Sequence, residues 1–167
     1  MSKDIVAVVD ENDKVIGVKA RDDVADGDIV RVAVLWLENS KGEVLLQQRA
    51  LTKKTGAGLW GPAAAGTVEA HETYEGNIIK EAEEELGLTD LTLRKAGKKL
   101  FRESNAGFGR MFTYFTATTD RSIDEFTLQP EEVVQIKWVP KDRLLEMIAK
   151  HPETYVPSAI YWKELYY

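Results

Sequence analysis

Residues 30–37, VRVAVLWL, constrain the fold more than any other segment of the chain. They form a nearly continuous run of β-branched and bulky apolar residues, which predicts a buried strand. The polar residues at 39–42, NSKG, predict a turn, and residues 43–49 then predict the return strand. Residues 4–19 predict a further hairpin, because two short apolar segments flank the polar residues at 11–13.

The rest of the chain alternates between helix and strand patterns. Residues 73–86 have a helix-forming composition, and Gly87 stands where a left-handed C-cap is usual. Pro140 suits the first turn of a helix that runs to about residue 150. Further strands are predicted at 91–101, 110–119 and 133–139, and a loop at 51–61. This order of elements predicts a mixed sheet flanked by helices, in an α/β (α+β) fold with an N-terminal hairpin.

Composition narrows the class of protein. The length of 167 residues fits a single domain over residues 1–167. Cysteine is absent, which excludes a disulfide framework and a thiolate nucleophile, and there are only two histidines, His71 and His151. With 22 basic and 28 acidic residues the net charge is −6, which argues against binding of a nucleic-acid polymer.

Hydropathy gives an expectation about the compartment. No apolar run reaches the length of about 18 residues that a membrane-spanning helix needs. The first residues, MSKDIVAVVDEND, lack the basic and apolar regions of a signal peptide. We therefore expect a cytoplasmic protein that does not bind a membrane.

Three carboxylates are the candidate metal ligands. Glu81, Glu84 and Glu85 lie at positions i, i+3 and i+4, on one face of the predicted helix. Carboxylates at this spacing raise one another's pKa unless a cation neutralises them. Mg²⁺ suits them, because it takes oxygen ligands and bridges to substrate phosphates, and Mn²⁺ is the alternative metal. A solvated, salt-bridged helix face is the alternative interpretation of a glutamate-rich helix.

The glycines around this helix favour the metal site. The segment reads Gly66, five residues, Glu72, seven residues, Lys80-Glu81-Ala82, one residue, Glu84-Glu85, one residue, Gly87-Leu88. It resembles the box of the Nudix family, G-x5-E-x7-R-E-U-x-E-E-x-G-U, in which U is apolar. The resemblance implies an α/β/α sandwich and the hydrolysis of diphosphates that are linked to another moiety.

The resemblance also implies a role for each residue of the box. Glu84 and Glu85 would be metal ligands, Glu81 a ligand or the group that activates water, and the Gly66 carbonyl a further ligand. Glu72 would brace the loop before the helix. Many family members also recruit a glutamate from the loop before a late strand, for which Glu131 and Glu132 are the candidates, and we select Glu132.

Three residues depart from the family pattern, and one of them is Gly76, which lies within the predicted helix and costs about 1 kcal/mol relative to alanine. Lys80 replaces the usual arginine, which keeps the positive charge but loses the planar group that can bind a carboxylate through two hydrogen bonds. We place Lys80 beside Glu81 in the catalytic group, although the helix could be held less firmly. His71 replaces a usual glycine, and we interpret it as a surface residue near the site that is not a ligand.

A longer segment is similar to the isopentenyl-diphosphate isomerase branch of the same superfamily. This segment covers residues 39–66 and reads NSKGEVLLQQRALTKKTGAGLWGPAAAG. The similarity implies that Arg49 and Lys53 contact the substrate diphosphate, an anion that suits guanidinium and ammonium groups. The alternative for these residues is a solvated basic turn.

The chemistry of the isomerases is not expected here. Their catalytic cysteine aligns with Ala65, and two metal-binding histidines align with Thr67 and Val30. The stretch that supplies their glutamates aligns near residues 108–110, FGR. Protonation and deprotonation of an alkene need a matched acid and base, which these positions do not supply.

The sequence therefore predicts a Mg²⁺-dependent Nudix hydrolase that cleaves the diphosphate linkage of a nucleoside diphosphate derivative or a related organic diphosphate. A noncatalytic diphosphate-binding module and an isopentenyl-diphosphate isomerase are the alternatives. A homodimer is expected, in which the aromatic C-terminus at 158–167 forms the interface, although it could equally fold back on the core. Four aromatic residues could stack on a nucleobase or belong to the core: Trp60, Phe108, Phe112 and Tyr114.

Overall fold

The computed structural model describes residues 4–102 and 107–167. The strands in these ranges are β1 (Ile5–Val9), β2 (Val15–Ala20), β3 (Ile29–Glu38), β4 (Glu43–Arg49), β5 (Trp60–Gly61), β6 (Ala64–Thr67), β7 (Arg94–Arg102), β8 (Gly109–Thr118) and β9 (Val133–Pro140). The α-helices are α1 (Tyr74–Leu86), α2 (Lys141–Lys150) and α3 (Trp162–Tyr166). None of the helices in the described ranges has the length and apolar character needed to cross a membrane.

Strand β3 lies at the centre of a mixed sheet. It pairs antiparallel with β1, β4 and β6, and parallel with β8 along its whole length. The predicted N-terminal hairpin is present as β1 and β2. Strand β7 extends the sheet beyond β8, while β4 carries β9 and the short β5. The predicted mixed sheet is therefore confirmed.

Helices cover both faces of β3, which explains why its sequence is apolar at almost every position. Alternate residues face opposite sides of a strand. On one face, Ala33, Leu35 and Leu37 form a core cluster together with residues of α1. On the other face, Trp36 packs in a cluster with Leu144 of α2 and Trp162 of α3. The α/β/α arrangement that the resemblance implies is thus present.

Helix α1 begins and ends where the sequence predicts. Thr73 is its N-cap, and the threonine side chain accepts a hydrogen bond from the Gly76 backbone N–H. Gly87 ends the helix in the left-handed conformation, with φ of 70°, which a residue without a side chain adopts at little cost. Ile78, Ala82 and Leu86 are buried, so one stripe of the helix packs on the sheet.

Three boundaries differ from the predictions. The predicted loop at 51–61 ends in a strand, because Trp60 is buried and pairs with Gln48 of β4. Strand β7 begins at Arg94, while the preceding Leu91 and Leu93 pack against the core outside the ladder. Pro140 is the last residue of β9 and the N-cap of α2, with non-helical ψ of 122°, so the helix starts one residue later.

The aromatic C-terminus folds back on the core. Tyr166 stacks on Trp36 with ring centroids 3.9 Å apart, and Trp162 meets the same ring edge-on at 5.3 Å. Trp162 is almost fully buried. The interpretation that this segment folds back on the core is therefore confirmed, and the homodimer stays a prediction.

The turn between β1 and β2 carries a buried carboxylate that joins four parts of the fold. Asp13 accepts hydrogen bonds from Arg31 Nε of β3 at 2.7 Å and from the Tyr74 hydroxyl of α1 at 2.9 Å, and it is also ion-paired with Lys98 of β7. Its side chain is 8% exposed. Burial alone would raise the pKa of Asp13, but the hydrogen bonds from Lys98, Arg31 and Tyr74 hold it below its ordinary value.

We predict that Asp13→Asn lowers the free energy of unfolding by about 1–3 kcal/mol at neutral pH, because a buried set of donors loses its anion. A lowered carboxyl pKa stabilises the fold above the unfolded pKa of about 4, and this contribution is lost as the pH falls towards the folded pKa. Urea denaturation measures the free energy of unfolding of both proteins. The variant should differ from wild type more at pH 7 than at about pH 3.

The exposed neighbour Asp22 provides the control. Asp22→Asn removes the same charge from an exposed position in the 3₁₀ turn that follows β2, and it should change the stability little at either pH. Equal effects of the two substitutions at pH 7 would contradict the role assigned to Asp13.

Candidate active site

The glutamates of α1 divide between the sheet and the solvent. Glu85 points into the protein and is 5% exposed, Glu81 is half-buried, and Glu84 is exposed. The i, i+3, i+4 spacing thus places all three along one side of the helix, with the carboxyl groups at different depths. Glu84 is the most accessible of the three.

Gln47 of β4 satisfies the buried Glu85 carboxyl. Its Nε2 donates hydrogen bonds to Glu85 Oε2 at 3.0 Å and to the Ala63 carbonyl at 2.8 Å. Sequence reasoning missed Gln47, although one signal was available. Within β4 this amide occupies an inward position two residues after the buried Leu45, where an apolar residue is usual.

Strand β6 passes so close to the Glu81 side chain that a Cβ atom at residue 66 would displace it. A Cβ atom on Gly66 would lie 2.6 Å from Glu81 Cδ and 2.7 Å from its Oε1. Such distances are well inside van der Waals contact. The first glycine of the box therefore has a direct geometric purpose: it lets the Glu81 carboxyl lie against the β6 backbone.

The loop between β6 and α1 is held by Glu72. Its Oε2 accepts hydrogen bonds from the Glu69 backbone N–H and from Asn77 Nδ2, both at 2.9 Å, and its other oxygen is ion-paired with Lys80. Asn77 also donates to the Thr67 carbonyl at 3.1 Å. Lys80 thus contacts the loop through Glu72. Asn77, a buried polar residue on the apolar side of α1, was missed by sequence reasoning.

Arg49, Lys53 and Glu132 lie beside the glutamates of α1. Lys53 Nζ is 2.5 Å from Glu132 Oε2, and Arg49 donates to the Thr55 carbonyl at 3.0 Å through Nη2. Burial lowers the pKa of Arg49, and the charges of Glu85 and Glu132 oppose that effect. Glu131 is exposed, so the structure brings Glu132 to this side of the sheet.

Burial makes two of the carboxyl groups hard to ionise. Burial and then the charge of Glu84 raise the pKa of Glu81 to about 7. Burial, with the charges of Glu81 and Glu132, raises the pKa of Glu85 to about 8, although the Gln47 hydrogen bond acts in the opposite direction. Burial is the main cause of both shifts, and the neighbouring glutamates add to it.

The donor set fits a hard divalent cation. Glu81, Glu84, Glu85 and Glu132 offer oxygen ligands, and a cation among them would neutralise groups that burial makes costly to ionise. Within the described residues, the three ligand groups that lie within 4.8 Å of one another are a different set, Glu69, His71 and Glu72. In that set Glu72 is already ion-paired with Lys80, and His71 is exposed at the surface, where the sequence placed it.

Three of the four aromatic residues proposed for stacking belong to the core. Trp60, Phe112 and Tyr114 are buried, which favours packing in the core over stacking on a nucleobase. Phe108 is half-buried beneath the guanidinium of Arg110, whose Cζ lies 4.6 Å from the ring centroid.

Comparison with known proteins agrees with this geometry. A family model for the NUDIX domain matches residues 28–159. The chain belongs to the Nudix family. An uncharacterized Nudix hydrolase of Pseudomonas aeruginosa is 34% identical over 98% of this chain and 93% of its own length. The crystal structure of DR0079 from Deinococcus radiodurans superposes with a TM-score of 0.82 at 23% identity, over 98% of this chain and 99% of that one, and so shares the fold.

Two relatives of this Nudix chain are named for prenyl diphosphates. A prenyl-diphosphate phosphatase of Methanosarcina mazei is 28% identical over 92% of this chain and 89% of its own length. An isopentenyl-diphosphate Delta-isomerase of Photorhabdus laumondii is 28% identical over 91% of this chain and 86% of its own. The resemblance to the Nudix family and to its isomerase branch is thus confirmed, and the predicted enzyme class is that of the Nudix hydrolases.

We predict that Gly66→Ala lowers the free energy of unfolding by about 1–3 kcal/mol, because the added methyl group must displace the Glu81 side chain. Gly17→Ala is the matched control, since no atom lies within 4 Å of the position of its added Cβ. Chemical denaturation of both variants makes the comparison. If the two variants were equally stable, Glu81 would not lie against Gly66.

Proposed function

We propose that this Nudix protein is a Mg²⁺-dependent hydrolase that cleaves the diphosphate linkage of a nucleoside diphosphate derivative or a related organic diphosphate. The observation that carries the proposal is that Glu132 lies close enough to Glu81 and Glu85 to add to the rise in pKa that burial causes in both. The basic side chains of Arg49 and Lys53 lie beside these carboxyl groups. The carboxyl groups favour a divalent cation, and Arg49 and Lys53 favour the phosphate groups that such a cation would bind.

The proposed metal ligands are the Gly66 carbonyl, Glu81, Glu84, Glu85 and Glu132. A bound Mg²⁺ would supply neutralisation of charge on the diphosphate oxygens. Mn²⁺, which accepts similar ligands, is the alternative metal.

The protein's own groups have separate tasks in the proposed reaction. Arg49 and Lys53 bind the diphosphate and hold it in line with the attacking water. Glu81 accepts the proton of that water while the oxygen bonds to phosphorus and the bridging P–O bond breaks. Without a cation, burial and the charge of Glu84 raise the pKa of Glu81 to about 7, and a bound cation would lower it and keep the carboxylate ionised to accept the proton. Lys80 acts as a positioning residue, since it holds the loop of Gly66 through Glu72.

The relatives widen the range of substrates to test. The similarity to a prenyl-diphosphate phosphatase supports prenyl diphosphates as candidates beside nucleoside diphosphate derivatives. Isomerase activity has less support, because Ala65 and Thr67 of β6 and Val30 of β3 offer neither a thiol nor an imidazole.

The first prediction from the proposed function concerns the metal and the substrate. We expect Mg²⁺-dependent release of phosphate or nucleotide from at least one member of a panel of ADP-ribose, nucleoside triphosphates, NADH, CoA, nucleotide sugars and isopentenyl and longer prenyl diphosphates. EDTA should abolish the release, and added Mg²⁺ should restore it. A protein that binds Mg²⁺ but cleaves no member would instead favour the noncatalytic diphosphate-binding module.

The second prediction concerns Glu84. Glu84→Gln should lower kcat by at least about a hundredfold, because it removes an anionic ligand from the proposed metal site. The fold should remain intact, since Glu84 is exposed. Glu83→Gln is the matched control, because it removes the same charge from an exposed neighbour that the box leaves unassigned. A fully active Glu84→Gln enzyme would refute the ligand assignment.

The third prediction concerns Arg49. Arg49→Ala should raise KM for every diphosphate that the enzyme cleaves, by about tenfold or more, because a charge-assisted contact to the common part of the substrates is lost. Steady-state kinetics on two substrates with different organic groups provide the measurement. An increase of KM for one substrate alone would mean that Arg49 contacts the organic group.

A further inference from the structure

Two residues with separate proposed tasks are bound to each other. Lys53 Nζ lies 2.5 Å from Glu132 Oε2, and the two side chains are 26% and 33% exposed. Lys53 is the proposed contact of the diphosphate, while Glu132 is a proposed ligand of the metal. The residues are 79 positions apart in the chain, so the pair joins the loop after β4 to the start of β9.

The backbone holds the two residues at this distance. The Ala50 N–H donates a hydrogen bond to the Glu132 carbonyl at 2.9 Å, and the Lys53 N–H donates to the Ala50 carbonyl at 3.2 Å. One short network therefore fixes both main chains. Because the backbone is fixed, the ion pair forms without a large rearrangement of either segment.

The Lys53 ammonium also acts on the buried carboxyl of α1. Besides its contact with Glu132, its charge lowers the pKa of Glu85, whereas Glu132 raises that pKa. In residues 4–102 and 107–167, each of the two side chains has the other as its hydrogen-bonding partner. Full engagement of either side chain by its proposed ligand therefore competes with the ion pair.

We propose that the Lys53–Glu132 ion pair couples metal binding to diphosphate binding. A divalent cation takes Glu132 away from Lys53, and the released ammonium then binds the diphosphate. The inference rests on the proposed function and adds a regulation of the same site. Because a coupling free energy is reciprocal, each ligand improves the binding of the other. The metal frees Lys53 for the diphosphate, and the diphosphate frees Glu132 for the metal.

The structure offers a matched control for each half of the pair. Lys54 is adjacent to Lys53 but exposed, and no ion pair is found for it in the described part of the chain. Glu131 is adjacent to Glu132 and also exposed. Lys54→Met and Glu131→Gln therefore change the net charge near the site by the same amount as Lys53→Met and Glu132→Gln, and leave the pair in place.

The first arm of the test measures metal binding without diphosphate. Mn²⁺ is titrated into the full-length protein, and free Mn²⁺ is followed by electron paramagnetic resonance. Lys53→Met should bind Mn²⁺ about threefold more tightly than Lys54→Met, which is the range expected for loss of a partly exposed ion pair. In a Glu132→Gln background, where this ion pair cannot form, the difference between the two lysine substitutions should become smaller.

The second arm measures diphosphate binding without metal. Methylenediphosphonate, which resists hydrolysis, is titrated by calorimetry in the presence of EDTA. Glu132→Gln, which frees Lys53, should bind it about threefold more tightly than Glu131→Gln does. Thermal unfolding of each variant checks that the fold is retained, and Lys53→Gln serves as a second substitution if Lys53→Met unfolds.

The outcomes separate the two proposals. Equal effects within either matched pair would overturn the coupling, since net charge alone would then explain the binding. Weaker Mn²⁺ binding by Lys53→Met would also overturn it, because Lys53 would then hold Glu132 in place for the metal. A wild-type protein that binds Mn²⁺ and cleaves a diphosphate would keep the proposed function in either case. A wild-type protein that does not bind Mn²⁺ would contradict both.

Discussion

The burial of the Glu85 carboxyl between α1 and β4 determines how the rest of the site is built. An ionised carboxylate is costly to bury unless hydrogen bonds and opposite charges surround it. The protein supplies the amide of Gln47 at 3.0 Å and the nearby ammonium of Lys53. These groups offset only part of the cost, since the pKa of Glu85 is still raised to about 8. Without a cation, the buried carboxyl therefore keeps its proton more readily than an exposed one, and a divalent cation in place of that proton would supply the opposite charge that an ionised Glu85 needs.

The sequence predicted the main elements because their signals are local. The apolar run of β3 and the caps of α1 at Thr73 and Gly87 each depend on neighbouring residues, and the structure confirms them. The spacing of the box likewise identified the family and placed three glutamates on one side of α1. Patterns of this kind need no knowledge of the tertiary fold.

The contacts that hold the site together were not predictable in the same way. Gln47 meets Glu85, and Lys53 meets Glu132, across 38 and 79 positions of the chain. Asp13 likewise joins its turn to Lys98, 85 positions away. Such pairs depend on the register of the sheet, which a single sequence does not specify. The choice between Glu131 and Glu132 has the same origin, because only the path of the chain before β9 decides which of them faces inward.

The parallel ladder between β3 and β8 has a consequence for how this protein acquires its site. Ile29 pairs with Gly109 and Glu38 with Thr118, so every contact of the ladder closes a loop of 80 positions. Contacts of such long range form late in folding, since the entropy of loop closure opposes them. Helix α1 and its glutamates lie inside that loop. During synthesis, the whole box leaves the ribosome before β8 exists to complete the sheet beside β3. The packing of α1 against the completed sheet, and with it the assembly of the proposed metal site, therefore belongs to a late stage of folding.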